Sequence, residues 1–314
     1  MKRIALIALV SLIAFGAQAQ EELMKYGDFE SWVTRTITES KIIGGKTKSM
    51  VEVGPNMKYE PKVYKNQGGS IWGTSNIYAH VKGISKTNTS VYKDTHNGGT
   101  CIKLRTHVEG VKVLGMVNIY VIAAGSIFTG EMVEPITSSS NPFRYLNLGI
   151  PCTRRPKAVK FDYKVQLSDS ANVRMTGFSR KKTMATKDYC DAQCYLQKRW
   201  EDEDGNIHAL RIGTLVHRFT SSVKTWQEGK SFPIHYGDIT GESYYRGYMG
   251  LLTGDNAIYA TNSKGKQVKV TEEGWADAGE TPTHIIVKFN SSCGGAYIGS
   301  PGNTLWIDNV KLVY

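Results

Sequence analysis

The chain has 314 residues, with 39 Lys and Arg against 28 Asp and Glu for a formal net charge of +11, and it carries 32 Gly, 17 Tyr and 6 Trp. Turn-rich, aromatic composition with many short alternating segments argues against a helical bundle and points to an all-β chain. The basic residues stand singly or in short groups such as Arg154-Arg155 and Arg180-Lys181-Lys182. That excludes the long basic tract of a nucleic-acid-binding tail, and leaves solubility charge or attraction to acidic glycans and anionic surfaces.

In chain order, Lys2 and Arg3 precede an apolar run from Ile4 to Phe15 and then Ala17-Gln18-Ala19. A basic n-region, a short apolar h-region and an A-x-A site describe a secretory signal peptide over residues 1–19. No cysteine adjoins the site for lipid attachment, and no later segment is apolar enough to span a bilayer. Residues 20–314, read as one domain because no linker or repeat divides them, are expected to be secreted or periplasmic, with cell-surface association open. Loss of Lys2 and Arg3 leaves 37 basic residues against 28 acidic ones, a charge of about +9.

The mature chain opens on Gly27-Asp28-Phe29-Glu30-Ser31-Trp32, read as a short aromatic strand bearing carboxylates. Periodicity is poor from Ile42 to Lys65, which predicts loops with one or two short strands. Ile102, Leu104, Thr106 and Val108 alternate with Lys103, Arg105 and His107. Val159, Phe161, Tyr163 and Val165 alternate likewise with Lys160, Asp162, Lys164 and Gln166. Both read as sandwich strands with one buried and one wet face. Cys194 to Trp200 and Ile207 to Ile212 form a hairpin around Glu201-Asp202-Glu203-Asp204-Gly205-Asn206, whose Asp-Gly-Asn element tolerates positive φ. This acidic turn lacks the alternating Asp spacing and distant bidentate Glu of an EF-hand, so it reads as a solvated hairpin tip.

Two apolar runs close the chain, His284 to Phe289 and Leu305 to Tyr314, joined by a glycine-rich connection. Leu305 and Ile307 share one parity while Val310 and Leu312 share the other, which predicts a β-bulge near Asp308-Asn309. Five cysteines are present. Cys190 and Cys194 fall on one extended segment, about 13 Å apart and too far for a disulfide. All five are expected to be small core residues, although Cys101, Cys152 and Cys293 leave pairings open.

Four blocks together resemble the putative carbohydrate metabolism domain of gut Bacteroidales: Ser70 to Asn76, Ala124 to Gly130, Arg155 to Lys164 and Gly299 to Asp308. The resemblance implies a jelly-roll β-sandwich similar to carbohydrate-binding modules, with a role in glycan use or at the cell surface. It also implies a structural calcium tying the first strand to the last, for which Glu30 and Asp308 hold the matching positions, with Asp28 beside them. The chain departs from the pattern at Ile71 and Cys152, where aromatic residues fit better.

Flat rings among amide and carboxyl groups bind the apolar faces of pyranoses. Trp72 in a Gly/Ser/Asn stretch, Trp226, and the cluster Tyr244, Tyr245 and Tyr248 are the candidate platform. Hydrolysis of a glycosidic bond needs two carboxyls roughly 5 to 9.5 Å apart. Asp238, following His235-Tyr236-Gly237, and Glu131 are the candidate catalytic residues, though nothing in the sequence pairs them. The favoured reading is a carbohydrate- or glycoconjugate-binding jelly-roll. A glycoside hydrolase or lyase on the same scaffold is the alternative, and a structural surface protein the third.

Overall fold

The computed structural model describes residues 20–113, 117–176 and 180–314, so the segment 1–19 expected to be a signal peptide lies outside the described residues. Nine strands build the sandwich: β1 (Val91–His96), β2 (Gly99–Arg105), β3 (Ser126–Met132), β4 (Ala158–Gln166), β5 (Cys190–Glu201), β6 (Ile207–Phe219), β7 (Val223–Pro233), β8 (His284–Asn290) and β9 (Thr304–Val313). One sheet runs β7-β4-β9-β2-β1, and the other contains the order β3-β8-β5-β6. From β2 to β9 these are the two four-stranded orders, 2-9-4-7 and 3-8-5-6, of a jelly roll.

The alternating strands bury one face each. Ile102, Leu104, Val159, Phe161, Val165, Leu305 and Ile307 from the first sheet meet Cys194, Leu196, Ile212, Ile285, Val287 and Phe289 from the second in one core. Phe161 stacks on Phe232 at 4.6 Å and meets Phe289 edge-on at 4.9 Å, which joins the sheets through aromatic packing.

The β5–β6 hairpin forms as expected. Gly205 takes φ +89° at its tip, and Asp202 Oδ1 accepts the Asn206 N–H. Cys190 and Cys194 lie on β5, and all five thiols are free, with Cys152 and Cys293 only half-buried. Two expected strands are corrected. Gly27 to Ser31 is a turn, and the first described strand is Glu21–Leu23, which pairs antiparallel with β9. The strand read through to Val108 stops at Arg105. Buried Thr106 forms a corner there, its N–H donating to the Asn303 carbonyl and its hydroxyl to the Ser291 carbonyl. His107–Val113 then pairs with Val117–Ala123 in a separate hairpin, which leaves Val108 exposed.

Before β1 the chain forms a three-stranded sheet, Thr47–Val53, Trp32–Thr38 and Met57–Tyr59. A buried ion cluster fastens it to the segment following β3, because Arg35 binds Glu52 at 2.8 Å and Glu134 at 2.6 Å. Burial nevertheless raises the Glu52 carboxyl to about 7, so desolvation outweighs the guanidinium beside it.

Candidate functional site

Strand order decides which wet-face residues become neighbours. Because β9 lies between β2 and β4, Trp306 sits directly opposite Lys103 on one side and Lys164 on the other. Lys103 in turn opposes Tyr92 on β1. The ammonium groups of Lys103 and Lys164 lie 5.3 and 4.3 Å from the centre of a Trp306 ring, and that of Lys164 is 5.4 Å from Trp226 on β7. Tyr92, Lys103, Trp306, Lys164 and Trp226 thus alternate ring and cation across five adjacent strands, and the three contacts of Lys103 and Lys164 with Trp306 and Trp226 lie within cation–π reach.

One step along the strands, Thr304 stands between Arg105 and Gln166. A groove of 510 Å³ opens over one end of these rows, lined by Lys103, Arg105, Gln166, Thr304 and the largely buried Trp306 and walled by the polar stretch Ser168, Asp169 and Ser170, with Lys164 and Trp226 outside its lining. Its volume falls within the range of small-molecule sites, and its polar lining suits a hydroxylated ligand.

One step the other way lies an acidic row. Asp162 and Asp308 are directly opposed on β4 and β9, a placement that like charges disfavour. Neighbouring donors offset the repulsion. Asn309 Nδ2 donates to Asp162 Oδ2 at 2.8 Å, and the Asn309 N–H donates to Asp308 Oδ1 at 2.8 Å. His96 spans the row, with Nδ1 at 2.7 Å from Asp308 Oδ2 and Nε2 at 3.0 Å from Glu228 Oε1, while its ring stacks on Trp226 at 3.7 Å. Donation from both ring nitrogens requires the imidazolium. Burial pulls the His96 pKa down, but the bonds to Asp308 and Glu228 outweigh it and the pKa is raised. Burial lifts Asp308 to about 6 against the opposing effect of His96.

The bulge supplies Asn309. The register between β4 and β9 slips between Lys160 and Asp162, and Asn309 takes φ +52° at the extra position. Parity had located this irregularity, and its result is to aim the Asn309 amide at the two opposed carboxylates.

Among the residues predicted as sites, Trp226 belongs to this face. Trp72 is corrected: it is fully buried, packs on Phe29 at 5.8 Å, and donates from Nε1 to the Lys25 carbonyl, so it is core and offers no ligand surface. Tyr244, Tyr245 and Tyr248 lie in a loop beside β6 of the other sheet, where Tyr244 stacks on His235 at 4.1 Å and Tyr248 lies under Arg218 at 3.8 Å. Glu131 on β3 pairs with Lys65 at 3.7 Å. Asp238 is exposed, with its pKa lowered by the Thr240 N–H. No described contact brings Glu131 and Asp238 together.

Glu30 and Asp308 take separate partners. Glu30 accepts from the Thr100 N–H at 2.9 Å and the Thr100 hydroxyl at 3.2 Å, whereas Asp308 is held by His96 and Asn309. No described contact joins the Glu30 and Asp308 carboxylates, and each already has hydrogen-bond donors of its own. Among the described residues, the side chains with metal-ligand spacing are His96, Asp162 and Glu228, their ligand atoms within 4.8 Å of one another.

A second cavity of 610 Å³ lies between two hairpins and the outer face of the second sheet, with Ile77, Ile84, Val121, Phe128 and Leu146 in its walls. Its apolar lining offers sugar hydroxyls few partners.

Sequence reasoning missed Trp306, Lys103, Arg105, His96 and Glu228. Outward parity marked Lys103, Arg105, Asp162 and Lys164, and the missing information was that β2, β9 and β4 are neighbours.

Residues 47–235, more than half of the chain, match the family described as the putative carbohydrate metabolism domain. The chain belongs to that family and is a carbohydrate-related protein. No curated protein matches it. Among solved structures it is similar to a putative glycoside hydrolase from Bacteroides thetaiotaomicron, at 17% identity and a TM-score of 0.45 over 95% of this chain and 79% of that one. A putative glycoside hydrolase from Bacteroides vulgatus matches at 13% identity and a TM-score of 0.42, over 93% and 94%. A carbohydrate-binding module characterised for specific mannan recognition matches at 10% identity and a TM-score of 0.25, over 77% and 88%.

Proposed function

We propose that the protein is an exported carbohydrate-binding protein whose site is the groove on the outer face of the first sheet. It would take a saccharide free or as part of a cell-surface glycoconjugate. The observation that carries this reading is a polar-walled groove lined by Trp306, Lys103 and Arg105, with Lys164 and Trp226 continuing the row of rings and lysines beside it. Indoles supply flat apolar area for a pyranose face, and Gln166, Ser168 and Thr304 supply orienting hydrogen bonds. Hydrolysis is less well supported. The clustered carboxyls, Asp162 and Glu228, lie outside the groove lining, and Asp162 is buried with each oxygen already accepting a hydrogen bond, from Gly229 or Asn309. Burial keeps Asp162 from ready contact with a glycosidic bond in the groove.

A polysaccharide panel tests the site. Trp226→Ala and Trp306→Phe should weaken binding, the Trp226 truncation by roughly 1–3 kcal/mol, the scale for losing one aromatic contact. Tyr245→Ala should leave binding intact, and Trp72→Ala should instead cost about 3–5 kcal/mol of stability. Binding lost in Tyr245→Ala but kept in both Trp226→Ala and Trp306→Phe would move the site to the other sheet. Release of reducing sugar by wild type, abolished in Glu228→Gln, would replace binding with hydrolysis. Export rests on Lys2, Arg3 and the apolar run to Ala19, and the released protein should start at Gln20 on N-terminal sequencing.

A further inference from the structure

The groove floor is charged on one side only. Lys103, Arg105 and Lys164 project from β2 and β4 around Trp306 and Thr304, while the acidic residues of this face stand one step away in the row of Asp94, Asp162 and Asp308. Asp169 is the single acidic residue lining the groove. The two cations that line the groove, Lys103 and Arg105, keep donor capacity for a ligand, and Lys164 stands just outside the lining. Lys103 makes one loose ion pair, 3.3 Å to Asp94, whose carboxylate also accepts the Trp306 indole N–H at 2.9 Å. Lys164 is held over two rings, and Arg105 is exposed at the groove's edge. A neutral sugar has no use for two lining cations with a third beside them, and covering them with one would cost desolvation without return.

From this arrangement we infer that the groove selects saccharides bearing carboxylate or sulfate groups. Arg105 would grip the anion with its planar fork, Lys103 would add a point charge with Lys164 reinforcing the field from beside the groove, and Trp306 would meet the adjoining sugar ring. This deepens the carbohydrate-binding reading and rests on it.

The test compares polygalacturonate, dextran sulfate and neutral dextran by calorimetry with the purified protein at two salt concentrations. Wild type should bind at least one of the two acidic polymers, more weakly as salt rises, and dextran at least tenfold less tightly; which acidic polymer binds separates uronate from sulfate. Arg105→Gln should lose on the order of tenfold affinity for that polymer, as expected when one charge-assisted hydrogen bond is removed. The control Lys41→Gln, Lys46→Gln removes two exposed charges elsewhere, and should retain wild-type affinity. Equal losses in control and Arg105→Gln would reduce the effect to net charge and overturn the inference. Binding of neutral polymers alone, still weakened by Trp306→Phe, would overturn acid selectivity while leaving the sugar site standing. Acidic binding unaffected by both Arg105→Gln and Trp306→Phe would overturn the inference and the site together.

Discussion

Asp308 shows how much one side chain on this face has to balance. It is almost fully buried, opposes another carboxylate, and depends on His96 and Asn309 for its hydrogen bonds. Burial raises its pKa from the ordinary 3.8 to about 6, so its stabilising contribution is complete below about 3.8 and is lost as pH rises through 6. His96 is also raised, and its contribution is present below its ordinary 6.5 and lost above its folded value. His96 and Asp308 are hydrogen-bonded to each other, so their titrations are linked. Asp308→Asn should therefore flatten the fall in unfolding free energy between about pH 4 and 6 relative to wild type. Parallel pH profiles for the two proteins would show that Asp308 is not the titrating group. The sequence marked Asp308 through the resemblance but assigned it calcium with Glu30; its actual partner, His96, lies 212 residues away in the chain, a separation at which no local pattern predicts contact.

At the scale of elements, periodicity served best where strands are short and two-faced. β4 falls where alternation placed it, with a core face and a wet one, while β8 and β9 fall where apolar runs placed them and β8 is buried on both faces. Alternation failed at Thr106, whose residue type continued the pattern while its backbone turned a corner, and at Gly27 to Ser31, where Phe29 is buried from a turn with φ +47°. The bulge in β9 was legible because a change of core parity within one strand requires an extra residue. Asn309 there occupies the left-handed region at φ +52°, where a β-branched side chain is strained. Asn309→Gly should lose only the hydrogen bond to Asp162, about 1 kcal/mol. Asn309→Val should lose it too and add roughly 1–2 kcal/mol of backbone strain. Urea unfolding that finds Val and Gly equally stable would remove strain from the account.

For the whole molecule, the jelly roll was reachable from composition, strand pattern and resemblance, but the site was not. Trp72 and Trp226 have equal claims as aromatic residues, and only the strand order buries the first between the sheets and turns the second outward. Terminal strands do meet, since Glu21–Leu23 pairs with β9, yet direct backbone pairing joins them. A calcium ion between Glu30 and Asp308 would have to displace the contacts to Thr100 and His96. The expected result is an unchanged melting temperature on passing from chelator to millimolar calcium. A rise in wild type that Glu30→Ala and Asp308→Ala each abolish would instead establish the ion, by the stabilisation that binding to the native state alone confers.

The place of β9 also bears on how the chain reaches this structure. It is last of the sandwich strands in sequence but central in its sheet, hydrogen-bonded on one side to β2 and on the other to β4. Until residues 304–313 arrive, β2 and β4 have no neighbour in common and the groove has no floor. The first sheet cannot form by stepwise growth of local hairpins, and loop closure over some two hundred residues must precede its main contacts. Folding should accordingly be slow and late, with an earlier state that exposes two unpaired edges and the apolar faces behind them. Trp306, on β9 between Lys103 of β2 and Lys164 of β4, is the fluorophore with which to time that closure.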